Sequence, residues 1–152
     1  MKILLAVDGS TYTKRALAYL AAHDEWLGTH HAYTVFHAAA PIPHRAAAFQ
    51  EVDDVRALYE KDAEAVLKPV RKFFDMHGIP ASFVFRIGPP ARQIAQLATR
   101  GRYDLVIMGT HGHGSVAGLV MGSVATKVLP LGRRWAMRGP AWCVRWAQAL
   151  PQ

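Results

Sequence analysis

Asp104-Leu-Val-Ile-Met108-Gly109-Thr-His-Gly112-His-Gly-Ser-Val-Ala-Gly-Leu-Val-Met-Gly122-Ser123 is the stretch whose reading decides the fold. The short apolar run Leu105–Met108 near its start reads as a strand buried on both faces. The strand passes into a glycine-dense turn and then into a helical pattern over Val116–Leu129. Glycine has no Cβ, so the backbone there can take positive φ and come close to a ligand. The amides of such a turn, together with the positive end of the next helix, suit an anion and above all a phosphate.

Three readings of this turn compete. A Walker A loop needs a lysine directly after its last glycine to meet the β/γ-phosphates, and no lysine follows until Lys127. Gly112-His-Gly114-Ser-Val-Ala117 matches the dinucleotide fingerprint in letters. That fingerprint belongs on the first βα turn, with an acid about 20 residues later for the ribose. Here it follows the fourth strand-like run, and no Asp or Glu occurs after Asp104. The third reading is a loop that only turns the chain.

Outward from this segment, strand and helix patterns alternate. Lys2–Val7 reads as a buried strand, and Asp8-Gly9-Ser10 as a turn in which Ser10 or Thr11 caps the next helix. Ala16, Leu17, Leu20, Ala21 and Leu27 give that helix its apolar stripe. His31–Ala39 is a second strand, closed by Pro41-Ile-Pro43. A long helical pattern runs from Ala46 to about His77, with Pro69 expected to kink it and Gly78 and Pro80 to stop it. Ala81–Ile87 is a third strand, and Gly88-Pro89-Pro90 opens a helix that Gly101 ends. Tyr103–Met108 is the fourth strand. Such alternation with short connections predicts an α/β fold with a parallel sheet covered on both faces. Ligands bind such sheets beyond the carboxyl ends of the strands, where the strand order reverses. Asp8 and Gly109 both lie just past strand ends, so they share a crevice if strands one and four are neighbours.

The 152 residues make one domain's worth of chain, and 51% of them are hydrophobic, which argues against global disorder. No run reaches the ~20 apolar residues of a membrane helix, and the N-terminal apolar run is too short for a signal peptide. One cysteine, Cys143, excludes an intramolecular disulfide. The expected location is cytoplasmic. Five of the seven net positive charges come from Lys127, Arg133, Arg134, Arg138 and Arg145, in a segment without acids. No zinc-finger or RRM signature accompanies them, so they read as a solvated basic end rather than a specific nucleic-acid surface. His111 and His113 form a His-x-His pair with no third ligand spaced near them, and no metal site is expected.

The opening Ile3-Leu-Leu-Ala-Val-Asp-Gly-Ser10, the Tyr103–Gly112 block and the spacing Gly-x2-Gly-x9-Gly-[Ser/Thr], met by Gly109, Gly112, Gly122 and Ser123, resemble the universal stress protein family over about residues 1–130. The resemblance implies a three-layer sandwich like the adenine-nucleotide alpha hydrolases, with a parallel sheet of four to five strands in the order 3-2-1-4-5 and helices on both faces. It implies a homodimer, and the glycine spacing places the chain with the ATP-binding branch. By matching position, Asp8 would meet the ribose or adenine region, and Ala6 and Val7 would line it. Ala38 and Met108 would flank the base. Gly109, His111 and Gly112 would follow the ribose and phosphates, and Gly122, Ser123, Val124 and Ala125 would wrap the phosphates. Mg2+ would bridge phosphate oxygens rather than sit in a protein cage.

The implied function is a nucleotide-dependent stress sensor or regulator with an unknown protein partner. A slow ATPase, an adenylating enzyme on the same fold and a nucleotide-free scaffold are the alternatives. No catalytic residue is assigned: beyond Asp8 or His111 there is no candidate base, and there is no arginine finger or Walker B acid. Asp8 also has a purely structural reading, as the residue that ties the turn before the first helix. Residues 131–152 depart from the family. Three of the four tryptophans and four arginines fall there. The segment reads either as a variant edge or dimer contact, with Ala141–Ala147 as a fifth strand, or as the product of a changed reading frame near residue 130.

Overall fold

The computed structural model describes residues 1–23, 25–41, 52–109, 122–131, 135–137 and 143–146. Its elements run β1 (Lys2–Val7), α1 (Thr11–Ala21), β2 (Ala32–Ala39), α2 (Val52–Met76), β3 (Ala81–Ile87), α3 (Pro90–Arg100), β4 (Leu105–Met108), α4 (Ser123–Leu131), β5 (Trp135–Met137) and β6 (Cys143–Trp146).

β1 and β3 have the bounds that their apolar runs predict. The sheet order is β3-β2-β1-β4-β6-β5. The first four strands are parallel, with Ile3 beside Tyr33 and Leu105, and Ala6 beside Phe36 and Met108. This is the expected order 3-2-1-4, and β1 and β4 are neighbours at the point where it reverses. The next position differs from an all-parallel continuation. β6 pairs with β4 in the antiparallel sense, Val106 opposite Val144, and β5 pairs antiparallel with β6. β5 therefore runs in the direction of β4, as a strand following a β-α crossover should. The chain then doubles back, and β6 fills the position between the two.

Because side chains alternate across a strand, each face of the sheet collects its own core. On one face Ile3, Leu5, Val7, Tyr33, Val35, Leu105 and Ile107 pack against Ala16, Leu17 and Leu20 of α1 and Leu67, Val70, Phe73 and Phe74 of α2. On the other, Leu4, Phe36, Val106 and Met108 pack against Ala91, Ile94 and Ala98 of α3 and Ala125 and Val128 of α4. Three layers result. Fully buried Phe36 and Phe74 are among the largest side chains in them, each worth roughly 1.5–3 kcal/mol of burial. In α1 the stripe stops at Leu20: Ala21 is exposed, and Leu27 packs on the core from beyond the helix end. α2 runs through Pro69 unbroken. The proline is exposed, and buried Leu67 and Val70 beside it hold both halves to the sheet. The portion of the long helical pattern before Val52 and the portion of the fourth helical pattern before Gly122 lie outside the described residues.

Two helices end in the same hydrogen-bond motif. After α2, the Ile79 N–H donates to the Phe74 carbonyl and the Gly78 N–H to that of Asp75, with Gly78 at φ +64. This is a Schellman cap with glycine at the left-handed position. After α3, Tyr103 donates to Ala98 and Arg102 to Thr99, but the left-handed residue is Arg102, at φ +51. Gly101 sits one place earlier, at φ −78. Its lack of a side chain has another cause: a Cβ there would lie 2.3 Å from the Tyr103 ring and 2.9 Å from the Leu97 carbonyl.

His31, which the sequence puts at the start of the second strand, lies just before β2 and is buried. Its Nε2 faces the Glu25 carbonyl at 3.0 Å and its Nδ1 faces the Met1 ammonium at 3.2 Å. An ammonium can only donate and a carbonyl only accept, so Nδ1 takes the acceptor role and Nε2 the donor role.

Candidate functional site

The crevice begins where β1 ends. Gly9 follows Asp8 at φ +77, a left-handed conformation that favours glycine, and a Cβ there would crowd the Val66 side chain at 3.2 Å. The turn delivers the chain to Ser10, the N-cap of α1, whose hydroxyl accepts the Tyr12 N–H at 3.2 Å. Asp8 belongs to the same arrangement. Its Oδ1 accepts the Ser10 N–H at 2.9 Å and the Thr13 hydroxyl at 2.8 Å, and its own N–H donates to Thr13 Oγ1 at 3.1 Å. A carboxylate at a helix N-terminus is favoured by the helix dipole. The structural reading of Asp8, a residue that ties the turn, is thus present in the structure.

On the α3/α4 face, Ala6 and Ala38 pack with Met108, Val124 and Ala125 in one cluster. Five of the expected site residues, from β1, β2, β4 and α4, are brought together there. Gly109 follows Met108 directly and is half-buried. Gly122 precedes α4, and its carbonyl accepts the Thr126 N–H at 3.0 Å and the Thr126 hydroxyl at 3.0 Å. Gly122 is therefore the first acceptor of α4, and Ser123, Val124 and Ala125 form the first turn, whose N–H groups have no acceptor within the helix. The Ser123 side chain is exposed.

Val7 is placed differently from the other five. Its side chain packs in the opposite core, against α1 and α2, and its carbonyl accepts from His37 Nδ1 at 2.9 Å. What Val7 can offer the crevice is backbone. His111 and Gly112 lie outside the described residues.

Three residues near the crevice went unassigned in the sequence. His37 pairs in register with Val7. Arg86 pairs with Ala38 and is exposed. Thr13, the third, bonds Asp8 from the first turn of α1. Its position three after an N-cap serine was the available signal, because that is where a side chain can reach back over the helix start. Among the described residues no group of three or more His, Cys, Asp or Glu could hold a metal ion, and no helix is long and apolar enough to cross a membrane.

This geometry has known counterparts. The universal stress protein family matches residues 1–130. A Thermus aquaticus protein, the universal stress protein in the QAH/OAS sulfhydrylase 3′ region, is 33% identical over 130 residues, which span 84% of this chain and 89% of that protein. Among solved structures, the hypothetical protein MJ0577 aligns with a TM-score of 0.71 at 22% identity, over 85% of this chain and 88% of that one. A universal stress protein family member from Arabidopsis thaliana with AMP bound aligns with a TM-score of 0.56 at 20% identity, over 77% and 81%. The two structures share the fold; the family match and the Thermus relative carry the stronger statement, that this chain belongs to the universal stress protein family.

Proposed function

We propose that this chain is a cytoplasmic adenine-nucleotide-binding protein, with ATP and Mg2+ as its ligands, that acts as a nucleotide-dependent stress sensor or regulator. The observation that carries the reading is the cluster of Ala6, Ala38, Met108, Val124 and Ala125 at the carboxyl ends of three strands, beside the β1/β4 reversal. Two alanines next to a methionine are small and apolar, the chemistry against which a flat adenine base would pack. The first turn of α4 supplies N–H donors of the kind that hold phosphate oxygens. The Arabidopsis relative with AMP bound supports an adenine nucleotide as the ligand class. Magnesium would be carried on the phosphate oxygens, in keeping with its preference for phosphate and water over all-protein cages.

In this reading the nucleotide-bound state presents a different surface, and a protein partner or a second copy of the chain reads the change. The test is titration calorimetry with ATP and Mg2+, followed by assay of the same sample for ADP. Saturable heat without ADP supports the regulator. Steady ADP release makes the protein a slow ATPase, and no heat at millimolar ATP refutes the proposal. Gly112→Val, at a position outside the described residues, is expected to abolish the calorimetric signal by obstructing the backbone approach to the phosphates. Unchanged affinity in that folded variant would remove Gly112 from the site.

A further inference from the structure

Thr13 is 6% exposed, lies in the first turn of α1, and spends its hydroxyl on one residue. It accepts the Asp8 N–H at 3.1 Å and donates to Asp8 Oδ1 at 2.8 Å, a closed pair of bonds. In the usual capping box the third helical residue reaches back to the N–H of the N-cap. Here the Ser10 N–H goes instead to Asp8 Oδ1, at 2.9 Å, and the third helical residue holds the aspartate. The Ser10 N–H and the Thr13 hydroxyl occupy both lone pairs of Oδ1. Rotation of the carboxylate about its own bond is thereby fixed. A simple cap needs neither the aspartate nor this rotational lock, since Ser10 already caps Tyr12.

We propose that Thr13 is a positioning residue of the nucleotide site, which holds the Asp8 carboxylate in the orientation that accepts the ribose hydroxyls of an adenine nucleotide. The inference rests on the nucleotide reading above. An ionised carboxylate is acceptor-only, so it repels the phosphates and has to face a donor-bearing part of the ligand. The vicinal ribose hydroxyls are two such donors side by side, and a pair of donors discriminates between a carboxylate fixed in rotation and one free to turn.

The test compares ATP with 2′,3′-dideoxy-ATP on the full chain by calorimetry. Thr13→Val keeps the side-chain shape and removes the hydroxyl. It is expected to weaken ATP binding roughly tenfold, as loss of a hydrogen bond to a charged group does, and to leave the weaker dideoxy-ATP affinity unchanged. Thr13→Ser should restore ATP binding. In an Asp8→Asn background, Thr13→Val should have no further effect. Equal ATP affinity in wild type and Thr13→Val overturns the inference, as does an equal loss for ATP and dideoxy-ATP, or failure of serine to rescue. Absence of any ATP binding by the wild type is a different result: it refutes the nucleotide reading itself, and this inference falls with it. If Thr13→Val loses its helical circular dichroism, Thr13→Cys replaces it, keeping a weak donor and giving the same pattern with a smaller loss.

Discussion

Tyr33 shows how a single hydroxyl organises a connection. It donates to the Trp26 carbonyl at 2.6 Å and accepts the Gly28 N–H at 3.0 Å, so one side chain satisfies two backbone groups between α1 and β2. Burial pushes its phenol above the ordinary tyrosine pKa, against a smaller lowering by the Gly28 bond. The folded state therefore prefers the neutral form. That contribution is intact below the unfolded pKa of about 10 and is lost as pH rises through the higher folded value. Tyr33→Phe is expected to cost about 1–2 kcal/mol at neutral pH, by orphaning the Gly28 N–H and the Trp26 carbonyl. Urea melts at pH 7 and above pH 10 should show the gap between wild type and variant narrowing as the wild-type phenol ionises. A constant gap would mean that the hydroxyl acts through packing alone. The same scale explains why Thr13 was only half legible. Its place three residues after Ser10 marks a helix start, but its reach to Asp8 depends on the left-handed turn at Gly9, which the letters permit without specifying.

At the scale of elements, period and punctuation carried most of the information. The continuous apolar runs of β1 and β3 and the Gly78 stop of α2 follow from local chemistry, and the structure places them where the sequence does. Where a contact lies far along the chain, local chemistry is silent. Tryptophan and valine in Cys143–Trp146 favour a strand, yet nothing in four residues states its direction, and the antiparallel pairing with β4 came only with the structure. His31 is a similar case, since its burial depends on Met1, 30 residues away. The end of α3 is a local misfit of a testable kind. Arg102 holds the left-handed position of the cap at φ +51, where a Cβ costs roughly 1–2 kcal/mol. Arg102→Gly is expected to stabilise the protein by about 1 kcal/mol, read as a higher melting temperature. Gly101→Ala, one residue away, should do the reverse, because of the Tyr103 ring and the Leu97 carbonyl. The exposed pairs Arg56–Glu60 and Arg71–Glu64 on α2 contribute little beside these backbone effects.

For the molecule as a whole, a net charge of +7 favours an anionic ligand at low salt. If ATP binds the folded state alone, free ATP at a hundred times the calorimetric Kd should add about 2.7 kcal/mol of stability, visible as a rise of about 5–10 °C in melting temperature. A shift that fails to follow the calorimetric Kd would place the heat elsewhere than at a folded-state site. The strand order carries a consequence in time as well as in space. β1 is made first and lies inside the sheet, while the strand on its far side, β4, is made roughly a hundred residues later. Lys2 and Asp104 close that seam from both backbones, Lys2 N–H to the Asp104 carboxylate at 2.7 Å and Asp104 N–H to the Lys2 carbonyl at 2.8 Å. At a synthesis rate of about 5–20 residues per second, one side of β1 waits about 5–20 s on the ribosome for its partner. Throughout that interval the nascent chain carries a strand of Ile, Leu, Leu, Ala and Val with one edge unpaired, and Asp8 of the proposed nucleotide site follows directly on the tip of that strand.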